Sequence, residues 1–417
     1  MFDRDIWQEI FDTLRKHKLR TTLTALGVFW GIFMLIFMLG MGSGLQNAVF
    51  SNFGSQARNV MYVWTNATSL PYQGFQPGRV PRLNMDDVDY LLENVPGIDY
   101  IAPRTAISGA ITKDEISESY QIRGELPDMV SVEGYRIYKG RYIQPSDVDE
   151  SRKVIVLGKR VAEVLFGGGQ WEDAIGEYVT ANGVEFLVVG IFGPDLIKPW
   201  NESSLETVVI PLTTMHRAFG TGGIIHFFAA SAKDGYKVSD IETDVRSILQ
   251  TRHNVDPNDP RGIGGFNLEE QFDRINGLFA GISIFLWLVG IGTLLAGVVG
   301  VSNIMIITVK ERTKEIGIRK ALGATPNLII RSILTESVFI TLVSGYFGLL
   351  AGVLVIGGLD AVMEAADIQA QMFYNPEVKL WVALGALIIL VIAGTLAGLI
   401  PATMAARVNP IDALKDE

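Results

Sequence analysis

The residues most able to do chemistry lie in one short segment, residues 309–325, which reads VKERTKEIGIRKALGAT and carries five positive and two negative charges. Glu311 and Lys314 are three residues apart, and Glu315 and Arg319 are four apart. These spacings place opposite charges beside each other on the surface of a helix. The segment is therefore predicted to be a short helix suited to ion pairing and binding rather than to catalysis.

A tight corner is predicted where this charged helix ends. Gly323 suits the position just after a helix, while Thr325 and Pro326 suit the cap and the first turn of the next helix. Ile316 and Leu322 are expected to form the apolar side of the short helix. Two interpretations stay open: a rigid projection that presses into a groove on a soluble partner, or a juxtamembrane helix that binds lipid head groups.

No part of the sequence shows a catalytic or metal-binding pattern. The chain has no Cys, and its four His are scattered without ligand spacing; they are His17, His216, His226 and His253. Residues 167–169 are predicted to be a turn, and the sequence contains no G-x-x-x-x-G-K-S/T phosphate loop. The net charge of −10, without a basic patch, gives no indication of nucleic-acid binding. We therefore predict no enzyme activity, no metal and no cofactor in this chain.

The elements that must position the charged segment are predicted to be membrane helices. Four long stretches contain no Asp, Glu, Lys or Arg; they are residues 21–57, 275–309, 337–359 and 380–406. Each exceeds the ~20 residues that a helix needs to cross the hydrocarbon core of a bilayer. The charged segment lies between the second and the third of them.

The distribution of basic residues predicts the orientation of these spans. Lys and Arg precede the first stretch and follow the second, whereas acids dominate residues 360–379, between the third and the fourth. Both termini and the charged segment are thus predicted on the cytoplasmic side, and residues 43–275 outside. The first stretch is too long for the apolar core of a signal peptide, so an uncleaved helix is expected.

Two features are predicted next to the membrane. Apolar residues recur every four positions from Phe2 to Leu14, which favours an amphipathic helix on the cytoplasmic leaflet or packed on the protein. A helix over residues 275–309 would be about 50 Å long, against ~30 Å of hydrocarbon. The helices of the first two spans are therefore expected to continue outward as a stalk.

The segment outside the membrane has the pattern of an α+β fold. Strands alternate with short helices, and Asn182-Gly183 between two apolar strands predicts a tight hairpin. Asn84 is expected to cap a helix whose first turn holds Asp86 and Asp87. The outer thirds read as strand–helix units and the middle block as an insertion, so two subdomains are predicted.

The spans themselves carry two further signals. Small residues recur at the spacing of helix contacts, and the packing candidates are Gly27, Gly31, Gly292, Ala296 and Gly300. Contacts within one subunit and contacts between two copies would explain that spacing equally well. Near the start of the third span, an acid such as Glu336 can be functional, but an interfacial carboxylate that is solvated or paired with Arg331 is the favoured interpretation.

Five segments, in the right order along most of the chain, resemble the permeases of MacB-type ABC transporters, also called type VII or mechanotransmission transporters. They are KLRTTLTALGVFWGI (18–32), VIVLGKRVAEVLFG (154–167), TVVIPLTTMHRAFG (207–220), ERTKEIGIRKALGAT (311–325) and PATMAARVNPIDALKDE (401–417). The fourth is the most specific. The resemblance implies an α-helical membrane protein with four transmembrane helices and a large α+β extracytoplasmic domain between helices 1 and 2.

The resemblance also implies a role and partners. It implies a multi-pass permease of the bacterial inner membrane that transmits the motion of a separate ABC ATPase, which binds ATP and Mg²⁺, to periplasmic domains that drive efflux. A second permease copy in a homodimer, a periplasmic adaptor protein and an outer-membrane channel are the further partners it suggests. The ATPase is expected to dock on Glu311, Arg312, Lys314, Glu315, Ile316, Gly317, Arg319, Lys320, Ala321, Leu322, Gly323 and Ala324.

The resulting division of the chain follows the spans. It is 1–20, amphipathic helix; 21–57, transmembrane helix 1 and stalk; 58–265, external domain, with 58–107 and 202–265 porter-like and 108–201 inserted; 266–309, stalk and transmembrane helix 2; 310–325, coupling helix; 326–359, transmembrane helix 3; 360–379, external loop; 380–406, transmembrane helix 4; and 407–417, tail. Two relatives of this family remain as alternatives: FtsX-like signalling to a cell-wall hydrolase, and lipoprotein release.

Overall fold

The computed structural model describes most of the chain. The described residues are 18–51, 57–195, 197, 201–365 and 373–409. The predicted amphipathic helix falls largely on residues 1–17, which lie outside the described residues, as do residues 410–417 of the predicted tail. The chain divides into two compact units: a helical unit, residues 1–51 and 277–417, and an α/β unit, residues 52–276.

The described helices are numbered in chain order. They are α1 (Lys18–Ser51), α2 (Met85–Asn94), α3 (Met129–Glu133), α4 (Pro145–Asp149), α5 (Lys159–Phe166), α6 (Leu212–Phe219), α7 (Val238–Arg252), α8 (Leu268–Glu311), α9 (Thr313–Ala321), α10 (Pro326–Ala365) and α11 (Leu380–Ala406). The strands are β1 (Val60–Thr65), β2 (Leu83–Asn84), β3 (Ile98–Lys113), β4 (Ile116–Glu125), β5 (Tyr135–Gly140), β6 (Val154–Gly158), β7 (Tyr178–Ala181), β8 (Val184–Pro194), β9 (Thr207–Pro211), β10 (Ile224–Ile225), β11 (Phe227–Ala232) and β12 (Ile263–Asn267).

Four of the described helices are long and apolar enough to cross a membrane. The candidate spans are Thr22–Ser51, Leu268–Glu311, Pro326–Met363 and Leu380–Ala406. With 44 residues, α8 is about 66 Å long, twice the ~30 Å of the hydrocarbon core. The predicted fold class, four membrane helices with a large α+β domain after the first, is confirmed.

The core of the helical unit is a seam of aliphatic side chains. Val28 and Ile32 of α1, Val301 of α8, Ile356 of α10 and Leu390 of α11 are all buried in it. Because lipid tails are as apolar as these side chains, close packing must hold such helices together. Small residues provide it: at Gly348 a Cβ would lie 2.5 Å from the carbonyl oxygen of Phe29, so α10 and α1 are in backbone contact there.

The α/β unit is built on one sheet. In the residues described, ten strands pair in the order β12-β1-β11-β3-β4-β9-β6-β8-β5, with β7 off this path on β3 and β8. The predicted hairpin is confirmed: β7 and β8 pair with Ala181 opposite Val184, and Asn182 and Gly183 both have positive φ. The predicted cap is also confirmed, since Asn84 and Asp87 form a reciprocal capping box at the start of α2.

The two larger of the buried clusters in this unit pack helices against the sheet. One joins α2 and α7 to strands β1, β3 and β11, and the other joins α5 and α6 to strands β6, β8 and β9. Strand β3 contributes Ile98 and Ile101 to the first cluster and Ile111 to the second. The predicted subdomain boundary at residue 107 thus falls within one continuous strand, and the division into porter-like and inserted parts stays a prediction.

Candidate functional site

The charged segment forms a separate short helix after a break in the chain. The preceding membrane helix α8 continues to Glu311, so α9 begins at Thr313 rather than at residue 310 as predicted. The hydroxyl of Thr313 donates to the carbonyl of Lys310 at 2.7 Å, which satisfies one of the carbonyls that the break leaves free. Glu311 is therefore a residue of the membrane helix and not of the short helix.

The corner after α9 has the predicted form. Gly323 has φ +99°, its N–H donates to the carbonyl of Lys320 at 3.1 Å, and the N–H of Ala324 donates to the carbonyl of Arg319 at 3.0 Å. These two bonds are those of a Schellman motif, which needs a left-handed residue and therefore favours glycine. Helix α10 starts at Pro326, as expected from the cap and first-turn pattern.

One side of α9 is anchored in the helical unit. Ile316 and Gly317 are buried, and Ile316 belongs to the same core as Ile329 and Ile333 of α10. On a neighbouring side, the ammonium of Lys320 donates to the carbonyls of Ala406, at 2.8 Å, and Val408, at 2.6 Å. These carbonyls lie at the end of α11 and two residues beyond it, where a cation satisfies free acceptors and the helix dipole. A single turn of α9 is thereby tied to two membrane helices.

Arg312, at the break itself, joins three helices by charge. Its Nε lies 3.1 Å from Oε2 of Glu315 on α9, and its Nη1 lies 3.5 Å from Oε2 of Glu336 on α10. The expectation that Glu336 is solvated or pairs with Arg331 was wrong, because Glu336 is buried and contacts Arg312. Five residues separate Arg331 from Glu336, which turns their side chains about 140° apart on a helix.

The other side of α9 faces outward. Leu322 is 84% exposed and Ile318 is 45% exposed, and charged residues surround them. From Thr313 onward, the exposed members of the predicted docking set are Lys314, Glu315, Arg319, Ala321, Leu322 and Gly323. The prediction that Leu322 shares an apolar side with Ile316 was wrong, since six residues place them about 120° apart on a helix. The short helix therefore offers exposed apolar side chains within a charged rim, the composition of a docking surface.

The small residues of the spans divide into two groups. A Cβ at Gly31 would lie 3.3 Å from Cα of Leu294, and one at Gly27 would lie 3.8 Å from Cα of Gly297, so both glycines lie against α8. A Cβ at Gly292 or at Gly300 would meet nothing within 4 Å among the described residues. The predicted packing role is thus not met there within one chain, and contact with a second copy stays a prediction.

Ala296 lies on the exposed side of α8 with Gly292. The glycine that does meet α1, Gly297, was missed by the sequence analysis, and it lies 3.1 Å from the carbonyl oxygen of Gly27 by the same measure. The spacing alone identified small residues, but it could not identify which side of α8 faces α1. That side is decided by the whole set of buried residues, Leu294, Val298 and Val301 among them.

Two family descriptions match the sequence. The MacB-like periplasmic core domain matches residues 21–248, more than half of the chain, and the FtsX-like permease C-terminal matches residues 287–410. The second match contains the whole of α9 and the corner that follows it.

Curated relatives match along nearly all of the chain. It is 30% identical over 405 residues to the Pyoverdine export ATP-binding/permease protein PvdT of Pseudomonas entomophila, covering 96% of this chain and 58% of that protein. It is 29% identical over 406 residues to the Macrolide export ATP-binding/permease protein MacB of Rhodospirillum rubrum, covering 97% and 59%. The chain thus spans less than two thirds of the length of these relatives.

Among solved structures, the periplasmic region of MacB from Actinobacillus actinomycetemcomitans is similar, with a TM-score of 0.44 and 19% identity. That match covers 55% of this chain and 97% of the solved one.

Proposed function

The chain belongs to the MacB-like family of ABC transporter permeases, and we propose that it works as an export permease driven by an ABC ATPase. It is a multi-pass inner-membrane protein with a periplasmic domain. The names of its relatives support export. The proposed role is to carry motion from the cytoplasmic face, where ATP is bound and hydrolysed, to the periplasmic domain.

The observation that carries this proposal is the two-sided character of α9. Its buried side is fixed by Ile316 and by the bonds from Lys320 to the end of α11. Its outer side presents Leu322 and Ile318 with no core to cover them among the described residues. A helix held this firmly and exposed in this way suits transmission of force from a docked partner, since any displacement of α9 must move the helices that anchor it.

The proposed path for that motion is α8. Arg312 joins α9 directly to the end of α8, and α8 is one continuous helix from Glu311 back to Leu268 in the α/β unit. Helix α8 has no interior proline, a common cause of sharp kinks, and is therefore proposed to carry displacement along its length. Gly27 and Gly31 keep α1 against α8, so the two helices would shift together.

The partners follow from the same proposal. The 417 residues contain no phosphate loop, so ATP and Mg²⁺ would be bound by the ABC ATPase and not by any of these residues. A separate ATPase subunit, a second permease copy, a periplasmic adaptor and an outer-membrane channel stay predictions, as does the cytoplasmic location of both termini.

Replacing Leu322 with Asp tests the docking surface. Truncating a hot-spot residue at the centre of an interface costs about 2 kcal/mol or more, which is roughly 30-fold in affinity. We expect the full-length L322D variant, purified in mild detergent, to lose copurification of the ATPase and stimulation of its hydrolysis. The control is Leu92→Asp, which changes an exposed apolar residue of α2 in the other unit.

A second, double variant tests whether ATPase docking can be weakened while the permease stays folded. Glu315→Lys with Arg319→Glu reverses two exposed charges of α9 and should weaken docking while the permease remains folded and inserted. Unchanged ATPase binding and hydrolysis in both variants would contradict the assignment of α9. Mass spectrometry of the wild-type complex tests the route: an adaptor with an outer-membrane channel supports export, whereas a cell-wall hydrolase would favour signalling.

A further inference from the structure

A groove on the membrane-spanning surface of the helical unit has no part in the proposed coupling. It runs along the first four turns of α10, borders α11 at Thr395, and holds about 580 Å³. Asn327 and Arg331 line one end, and Leu334, Val338 and Leu342 line its length. It lies on a side of α10 other than the one that faces α9, since Glu336 and its partner Arg312 do not line it.

The body of the groove is apolar. Leu334, Val338 and Leu342 recur every four residues and form one ridge of α10. The hydroxyl of Thr335 donates to the carbonyl of Arg331 at 2.7 Å, and that of Thr395 donates to the carbonyl of Val391 at 2.8 Å. Both hydroxyls are thus satisfied within their own helices and leave a surface that hydrocarbon can cover without loss of hydrogen bonds.

The mouth of the groove is cationic. Arg331 is exposed, and in the part of the chain that the structure describes its guanidinium has neither an ion pair nor a hydrogen bond. Asn327, one turn earlier, adds an exposed amide. None of the described residues that line the groove is acidic. An anion therefore meets a positive charge and amide donors there without a competing carboxylate.

The length of the groove matches one leaflet of a bilayer. From Arg331 to Leu342 the rise along α10 is about 16 Å, close to half of the ~30 Å hydrocarbon core. A molecule that places an anionic group at Arg331 can thus extend one acyl chain to the bilayer midplane along the ridge. A soluble anion would use the mouth and leave the apolar part uncovered.

We propose that this groove binds one anionic phospholipid of the leaflet at the start of α10, with its phosphate at Arg331 and Asn327 and one acyl chain along Leu334, Val338 and Leu342. Basic side chains beside membrane helices attract anionic head groups, by an amount that corresponds to about fivefold in binding per cationic side chain. The bound lipid would lie against α10, and its phosphate at Asn327 would lie within the first turn after the corner at Gly323.

The absence of Cys from the chain allows a direct test. A fluorophore on Thr395→Cys reports from inside the groove, and one on Leu396→Cys reports from the next residue of α11, which is exposed but does not line the groove. The full-length protein is placed in nanodiscs, and brominated phosphatidylglycerol or brominated phosphatidylethanolamine is added as quencher. We expect about fivefold more efficient quenching by phosphatidylglycerol at position 395, and no preference at position 396.

Charge variants identify the contact. Arg331→Gln should abolish the preference at position 395, whereas Lys379→Gln, which removes the cation at the opposite end of α11, should keep it. Equal quenching at both positions, or a preference that survives Arg331→Gln, would overturn the proposal. If neither lipid quenched the fluorophore at position 395, protein would fill the groove. If excess inorganic phosphate abolished the preference, the site would bind free anions. Either result would also overturn the proposal.

Discussion

Among the described residues, an arginine in each unit joins two glutamates from different elements. In the α/β unit, Arg104 of β3 lies 2.6 Å from Glu125 of β4 and 3.0 Å from Glu133 of α3. In the helical unit, Arg312 lies 3.1 Å from Glu315 and 3.5 Å from Glu336. The connectivity is the same, but the surroundings differ.

The Arg104 cluster is buried and its neighbours are aromatic. The side chain of Arg104 is 8% exposed and that of Glu125 is fully buried; Tyr142 donates to Glu125 at 2.5 Å, and the guanidinium lies over the ring of Phe227. The Arg312 cluster is looser, with Glu315 58% exposed and the arginine at a helix break. From this difference we predict that charge fixes the sheet of the α/β unit in one arrangement, whereas the junction formed by the solvent-exposed pair of Arg312 with Glu315 can adjust.

The largest effect should come from Arg104→Met. Removing one partner from a buried ion cluster typically costs about 3–5 kcal/mol, because the remaining acids stay buried without a counter-charge. We expect a loss of this size in the free energy of unfolding of the α/β unit, followed by the fluorescence of Trp64 in β1, which belongs to the same unit. Arg136→Met is the control; it breaks an exposed pair with Asp195 and should cost less than about 1 kcal/mol. A cost for Arg104→Met no larger than that of the control would remove the distinction between the two clusters.

The same cluster should make the α/β unit sensitive to alkali. Burial raises the pKa of Tyr142 well above its ordinary value of 10, and the neighbouring Glu125 carboxylate raises it further. Since the folded pKa is raised, the stabilisation is present below pH 10 and is lost as pH rises above it, when the unfolded chain ionises first. Above pH 10, wild type should lose about 1.4 kcal/mol per pH unit more than Tyr142→Phe. Parallel pH profiles of unfolding for the two proteins would contradict the buried, neutral state of this phenol.

The features that were predicted correctly from the sequence are local turns and helix ends. The corner at Gly323 and Pro326 and the hairpin at Asn182 depend on residues within one turn of each other, and backbone conformation decides them. The exposure of Leu322 could have been predicted too, because helical periodicity separates it from Ile316.

Contacts between residues far apart in the sequence could not be predicted from this one sequence. The pair of Arg312 with Glu336 joins residues 24 positions apart, and the bonds from Lys320 reach carbonyls 86 and 88 positions away. Any of several acids or helix ends could have met these cations, and only the packing of α8, α10 and α11 selects the partners. Packing likewise decides that Gly297, and not Gly292, contacts α1.

The smallest effect should come from Glu315, and it tests whether the junction is adjustable. A double-mutant cycle of Arg312→Gln and Glu315→Gln should give a coupling energy of about 0.2–1 kcal/mol, as for other exposed pairs, and this energy should fall as salt is added. The same cycle on Arg104→Gln and Glu133→Gln should give a larger value that salt changes little, because that pair is shielded from solvent. Glu315→Gln should also leave stimulation of the ATPase nearly unchanged, since Leu322 and Ile318 carry the proposed docking. A large, salt-independent coupling between Arg312 and Glu315 would instead mean that the break before α9 is held in one geometry, and motion would then have to enter the membrane helices as a rigid displacement of the whole corner.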